Sequence, residues 1–141
     1  MKVRVVFAIL LTVSVLSACW AAPQTISPVK GSGHSINEWR EVKGITSVSL
    51  GTIGDLTIHL GSEESLRVEG EDNILPYIVT KVVGGELRIE TKPNANISPT
   101  MPVRYDLTVK DLNFIDVGSV GSVSVVSTDL FHTQRFSIKV A

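Results

Sequence analysis

The side chains able to do chemistry are few and scattered. The histidines are His34, His59 and His132. None is spaced as a metal-binding pair. His34 lies in a Gly/Ser stretch. His59 follows Ile58, so strand alternation turns it to solvent. Glu63 and Glu64 come just after Gly61 and read as a turn, not as a general acid–base pair. Asp55 and Asp116 flank two Gly-x-x-Gly segments, where loop carboxylates could bind a cation. However, the second segment has Ser122 where the first has Asp55, so no ligand set repeats. There is no Gly-x-Ser-x-Gly elbow, phosphate loop or dinucleotide fingerprint. Gly31-Ser32-Gly33 lacks the strand-loop-helix setting of a phosphate cradle. The reading is therefore non-catalytic, with no cofactor and no metal. Trp39 is either a core or edge aromatic or a stacking platform for carbohydrate.

One residue does carry a specific chemical signal. Cys19 is the only cysteine, so no disulfide partner exists within the chain. Lys2 and Arg4 precede an apolar run, Val5 to Leu16, and Leu16-Ser17-Ala18 then leads into Cys19. Small residues there suit a signal peptidase. Leu-Ser-Ala-Cys resembles the bacterial lipobox, whose cysteine thiol is acylated and becomes the mature N-terminus. Residues 1–18 are thus predicted to be a signal peptide, with Cys19 the lipidation site carrying palmitate-type chains. Several chains anchor stably where one does not. Cleavage after Ala21 would instead give a secreted protein. An uncleaved anchor over Val5–Ala22 would sit at the lower length limit for spanning a bilayer. Trp20 beside the lipid suits the membrane interface. With Trp rather than Asp after the cysteine, the lipobox resemblance implies the outer membrane in a host with two membranes; the address expected is outer membrane and periplasm, or the cell surface.

Composition bounds the rest. At 141 residues the chain holds one domain's worth of core. Charged residues are 19% and apolar ones 43%, which excludes disorder. Net charge is −1, and loss of Lys2 and Arg4 with the leader makes it −3. A basic nucleic-acid footprint is excluded as a global feature. Val, Ile and Thr number 20, 12 and 11 against six Ala, which favours strands. No charge occurs from Cys19 until Lys30, and Pro, Ser and Gly dominate residues 20–33. Residues 19–33 are read as a lipidated tether and residues 34–141 as the β domain.

An internal repeat sets the architecture of that domain. VKGITSVSLGTIGDLTI (42–58) aligns with VKDLNFIDVGSVGSVSV (109–125) at an offset of 67. Gly51 and Gly118 match, as do Gly54 and Gly121, with Ile53 and Val120 apolar between them. Period-two alternation on either side marks strands with one buried face. Hairpin tips are usually polar. Apolar Ile53 and Val120 therefore predict buried corner residues of a solenoid, with the glycines permitting the bend.

The middle of the chain reads differently. Leu66-Arg67-Val68-Glu69 echoes Leu87-Arg88-Ile89-Glu90 at an offset of 21. Gly84-Gly85 lies between two strand runs and predicts a hairpin. That hairpin sets Val82 opposite Leu87 and Lys81 opposite Arg88, with Glu86 and Glu90 diagonal to the lysine. Further strands are expected over 36–42, 103–109 and 136–140. Residues 71–77 read as an insert with one helical turn capped by Asp72 or Asn73, and 93–102 as a loop.

Several segments are similar to one family in order: Gly31-Ser32-Gly33, Trp39-Arg40-Glu41-Val42, Leu66-Arg67-Val68-Glu69-Gly70, Asp72-Asn73-Ile74-Leu75-Pro76-Tyr77, Gly85-Glu86-Leu87-Arg88-Ile89, and Val117 to Val123. The chain from about residue 30 resembles the head GIN domain family, labelled auto-transporter adhesin. The resemblance implies a right-handed β-solenoid, export, frequent lipidation and no established catalytic residues. Relatives usually continue with further Gly-Ser-Gly rungs beyond the equivalent of Ala141.

The fold expected is thus all-β, a right-handed solenoid with antiparallel hairpin elements and an incomplete set of rungs; a β-sandwich is the alternative. The function expected is a membrane-anchored envelope protein that binds a protein or glycan. Alternatives are a carbohydrate-active solenoid and an accessory subunit of an envelope complex. Phe136-Ser137-Ile138-Lys139-Val140 ends without a polar cap, which predicts either self-association through that edge or further rungs.

Overall fold

Alternation of β-branched residues with polar ones produces, among the described residues, twelve short strands and almost no helix. A computed structural model describes residues 27–118, 121–126 and 137–140, the last as backbone only. The strands are β1 Val29–Lys30, β2 Ser35–Arg40, β3 Ser47–Gly51, β4 Asp55–Leu60, β5 Ser65–Glu71, β6 Ile78–Val83, β7 Glu86–Thr91, β8 Ile97–Ser98, β9 Arg104–Val109, β10 Phe114–Val117, β11 Val123–Val126 and β12 Ser137–Val140. They form two open five-stranded sheets and a short pair, β1 with β8. Sheet I runs β12-β10-β3-β7-β6, and sheet II runs β11-β4-β9-β5-β2.

The repeat and the sheet register share one offset. β10 lies parallel to β3 with Phe114 beside Ser47 and Val117 beside Leu50. β11 lies parallel to β4 with Val123 beside Leu56 and Val125 beside Ile58. Repeat copies are therefore spatial neighbours. The offset-21 echo has another origin, because β5 belongs to sheet II and β7 to sheet I. Those two segments share only an inward aliphatic, outward charged pattern.

Both sheets contribute to a single core. Val48, Leu50, Leu87, Ile89 and Ile115 come from sheet I, and Leu56, Ile58, Leu66, Val68, Tyr105 and Leu107 from sheet II. Tyr105 is fully buried, and its hydroxyl donates to the Ile53 carbonyl at 3.1 Å. Burial pushes its phenol well above the ordinary range.

The Gly84-Gly85 hairpin forms as expected, with both residues at positive φ. Val82 pairs with Leu87 and Lys81 with Arg88. The like-charge pair is offset locally, because Lys81 reaches Glu90 at 3.1 Å and Arg88 reaches Glu86 at 2.5 Å.

At this antiparallel end, Arg40 ties the edge strands of the two sheets together. Its guanidinium donates to the carbonyl of Ile78 at 2.6 Å and of Leu75 at 3.2 Å, and pairs with Glu38 at 2.9 Å. Charged groups pointing inward from an edge strand also discourage pairing with another chain.

Two local expectations are corrected. The turn in the 71–77 insert is a 3-10 helix, Leu75–Tyr77, whose N-cap is Ile74 without a side-chain bond. Asp72 and Asn73 are engaged elsewhere, as described below. Within the first Gly-x-x-Gly, the buried residue is Thr52, only 4% exposed, whereas Ile53 is half-buried. The inward alternation Val48, Leu50, Thr52 runs on past the end of β3, which leaves Ile53 out of phase. Thr52 is satisfied by a 2.7 Å hydroxyl–hydroxyl bond to Thr91.

Candidate functional site

The Gly-x-x-Gly segments carry the chain from sheet I to sheet II. β3 and β4 are not paired with each other, so Gly51 to Gly54 is a corner between sheets and not a hairpin tip. Gly54 sits at φ +132, and a Cβ there would lie 2.7 Å from the Val103 carbonyl oxygen and 2.6 Å from the Tyr105 ring. The second corner stacks on the first so closely that a Cβ on Gly121 would fall 2.0 Å from the Gly54 carbonyl oxygen. Gly51 has no such constraint; a Cβ there makes ordinary contact at 3.7 Å. At Gly118 the space is open. Val120 lies outside the described residues.

Stacking also explains the mismatch of Asp55 with Ser122. The Asp55 carboxylate accepts from the Ser122 amide at 3.0 Å and the Ser122 hydroxyl at 2.6 Å. These bonds hold Asp55 below its usual pKa range. A second aspartate at 122 would have set two carboxylates against each other. The difference between the copies is a complementary contact.

The other conspicuous acids are likewise spent on backbone. Glu64 accepts from the Gly44 and Ile45 amides at 2.7 and 2.8 Å, which lowers its pKa. Its neighbour Glu63 is exposed.

Glu71, which sequence reasoning passed over, is completely buried. It accepts from the Gly33 amide (2.7 Å), the Thr100 hydroxyl (2.5 Å), and the Thr100 and Met101 amides (2.8 and 3.3 Å). Desolvation opposes its ionisation, but these donors outweigh it and leave the pKa lowered. Its neighbours extend the clamp. Asp72 takes the Ser32 hydroxyl at 2.5 Å, and Asn73 accepts from the Ser32 amide and donates to the Lys30 carbonyl. Residues 29–33, read as the far end of a tether, are thereby pinned to the domain, with β1 paired to β8. No sequence pattern marks Glu71; it merely follows Gly70 where the inward alternation of β5 breaks.

His34 is exposed, 3.7 Å from Asp72. His59 is half-buried on the outer face of sheet II, and His132 lies outside the described residues. That outer face spans the five strands of sheet II. One row reads Trp39, Arg67, Asp106, Thr57 and Ser124 across all five strands. Beside it runs Asn37, Glu69, Arg104 and Asp55. Arg67 donates twice to Asp106, at 2.6 and 3.1 Å, and Arg104 lies 3.3 Å from Glu69. Trp39 is 73% exposed at the β2 edge, so it belongs to no core.

These features define an all-β domain of two open sheets, with Asp55, Glu64 and Glu71 committed to the scaffold and a polar outer face on sheet II. The chain belongs to the family described as "Putative auto-transporter adhesin, head GIN domain", which matches residues 45–141. The match begins after Trp39 and the Gly31-Ser32-Gly33 segment.

The chain is similar in fold to three solved structures. A putative adhesin from Bacteroides fragilis shares 19% identity at TM-score 0.65, covering 79% of this chain and 55% of its own. A putative adhesin from Parabacteroides merdae shares 15% at TM-score 0.64, covering 70% and 41%. A structure from Parabacteroides distasonis, described as a putative lipid binding protein, shares 21% at TM-score 0.64, covering 70% and 44%. This chain thus spans about half the length of these structures. No protein of curated function matches it in sequence.

Cys19, with the predicted leader and most of the predicted tether, lies outside the described residues. Among the described residues, no helix is long and apolar enough to cross a membrane.

Proposed function

We propose that this chain is an exported, lipid-anchored binding domain of the cell envelope, an adhesin without catalytic activity, built as a β-solenoid. The observation that carries the reading is the use of its acids. Asp55, Glu64 and Glu71 each spend their carboxylate on backbone donors, so they serve the scaffold and not a reaction. The solenoid reading is supported by the two β-corner-β units, β3–β4 and β10–β11, which stack in parallel with the repeat offset as their register. The outer face of sheet II is the binding surface in this reading. The test is adhesion. Cells displaying the chain should attach to host or matrix surfaces, and the purified chain should compete; equal attachment by cells lacking it would overturn the reading.

Anchoring rests on the lipobox-like Leu16 to Cys19. Cys19→Ala is expected to move the protein from the membrane to the soluble fraction and to abolish palmitate labelling. Wild-type protein that takes up no label would refute the anchor.

Self-association is the companion expectation. The C-terminal strand β12 lies at an edge of sheet I, and β11 ends sheet II with Val125 and Val126 exposed; strand edges of this kind pair readily. Light scattering should show concentration-dependent growth in mass, and a monomer at all concentrations would exclude it.

A further inference from the structure

We infer that the outer face of sheet II at its β2 edge takes an uncharged glycan chain, seated on Trp39. The inference rests on the adhesin reading and names the ligand class. Every charged side chain in the two rows leading away from Trp39 already has a partner on that face. Arg67 is held by Asp106, Arg104 by Glu69, and Asp55 by Ser122. An anionic polymer would meet each arginine already beside a carboxylate, and a cationic one would meet each carboxylate already beside a donor, so the face offers neither charge alone. Nor, among the described residues, does this face carry a continuous apolar patch to bury against a protein partner. Trp39 stands at one edge of the sheet, and the other large apolar side chain exposed on the face among the described residues, Val126, stands at the opposite edge, about 19 Å away at the usual strand spacing.

What remains uncharged is Asn37, two residues from the indole on β2, and the hydroxyls of Thr57 and Ser124, three and four strands farther along the row. The ion pairs also fix Arg67 and Asp106 in place, so their remaining donor and acceptor positions are pre-organised. A wide, rigid aromatic plane next to neutral hydrogen-bonding groups suits a sugar ring, which has an apolar face and a polar rim. The five-strand row gives such a chain a track to lie along.

The experiment uses the full chain purified in mild detergent, with mannan, galactan and xylan as neutral probes and polygalacturonate as the acidic one. Retention on at least one neutral polymer is expected, insensitive to salt. Trp39→Ala should weaken it by about 10-fold or more with unchanged thermal melting, because the indole is exposed. Retention on polygalacturonate alone, falling with salt, would overturn the inference in favour of an anionic ligand. Equal retention of the variant would overturn the role of Trp39. If no polysaccharide retains the protein while cells displaying it still attach to protein-coated surfaces, the glycan inference fails and the adhesin reading stands. If attachment is absent as well, both fail.

Discussion

Gly121→Ala is expected to destabilise the domain by about 3 kcal/mol, lowering Tm by roughly 10–20 °C. The added Cβ would fall 2.0 Å from the Gly54 carbonyl oxygen. The obstacle is backbone, so no side-chain rotation can relieve it. The two corners would have to separate, and that strains the Leu56 amide bond to the Ser122 carbonyl and both bonds from Ser122 to Asp55. Gly54→Ala should cost a similar amount, since it combines φ +132 with contacts under 3 Å. Gly51→Ala, in the same corner, should change stability by less than about 1 kcal/mol, because its Cβ has room. Chemical denaturation of the three variants checks the ordering. A Gly121→Ala protein as stable as Gly51→Ala would show that the corners are not stacked this tightly.

The second large effect belongs to Glu71. Glu71→Gln keeps the shape but places an amide NH2 among groups that all donate: the Gly33, Thr100 and Met101 amides and the Thr100 hydroxyl. At neutral pH Tm should fall by about 10 °C, and residues 29–34 should become the first site of limited proteolysis. The pH dependence follows from the lowered pKa. Stability from ionised Glu71 is fully present above the ordinary value near 4.5 and is lost as pH falls through the lower folded-state value. Asp55 and Glu64 are lowered too, so the wild type should destabilise steeply in acid. The gap between wild type and Glu71→Gln should narrow between about pH 5 and about pH 3. A gap constant over that range would mean that the charge of Glu71 contributes nothing.

Much of the scaffold was legible in the sequence because its signals are local. Period-two alternation, the two Gly-x-x-Gly segments and Gly84-Gly85 each act within a few residues. The offset of 67 could be read as a stack because parallel neighbours place like residues side by side. The same alternation, followed two residues past Leu50, would have shown that Thr52 points inward and Ile53 does not.

Tertiary structure alone decided what the polar residues do, because that depends on which strands become neighbours. Asp55 meets Ser122 across 67 residues of chain, Glu71 meets Gly33 and Thr100 from opposite directions, and Asp72 and Asn73 hold Ser32 and Lys30 instead of capping a helix. Trp39 could be core or platform by sequence. Its place on the outward phase of an edge strand left it exposed, since an edge strand has a neighbour on only one side to cover it. Alternation is written into the order of residues, whereas a buried carboxylate and an exposed indole are consequences of long-range pairing, for which a single chain carries no local mark.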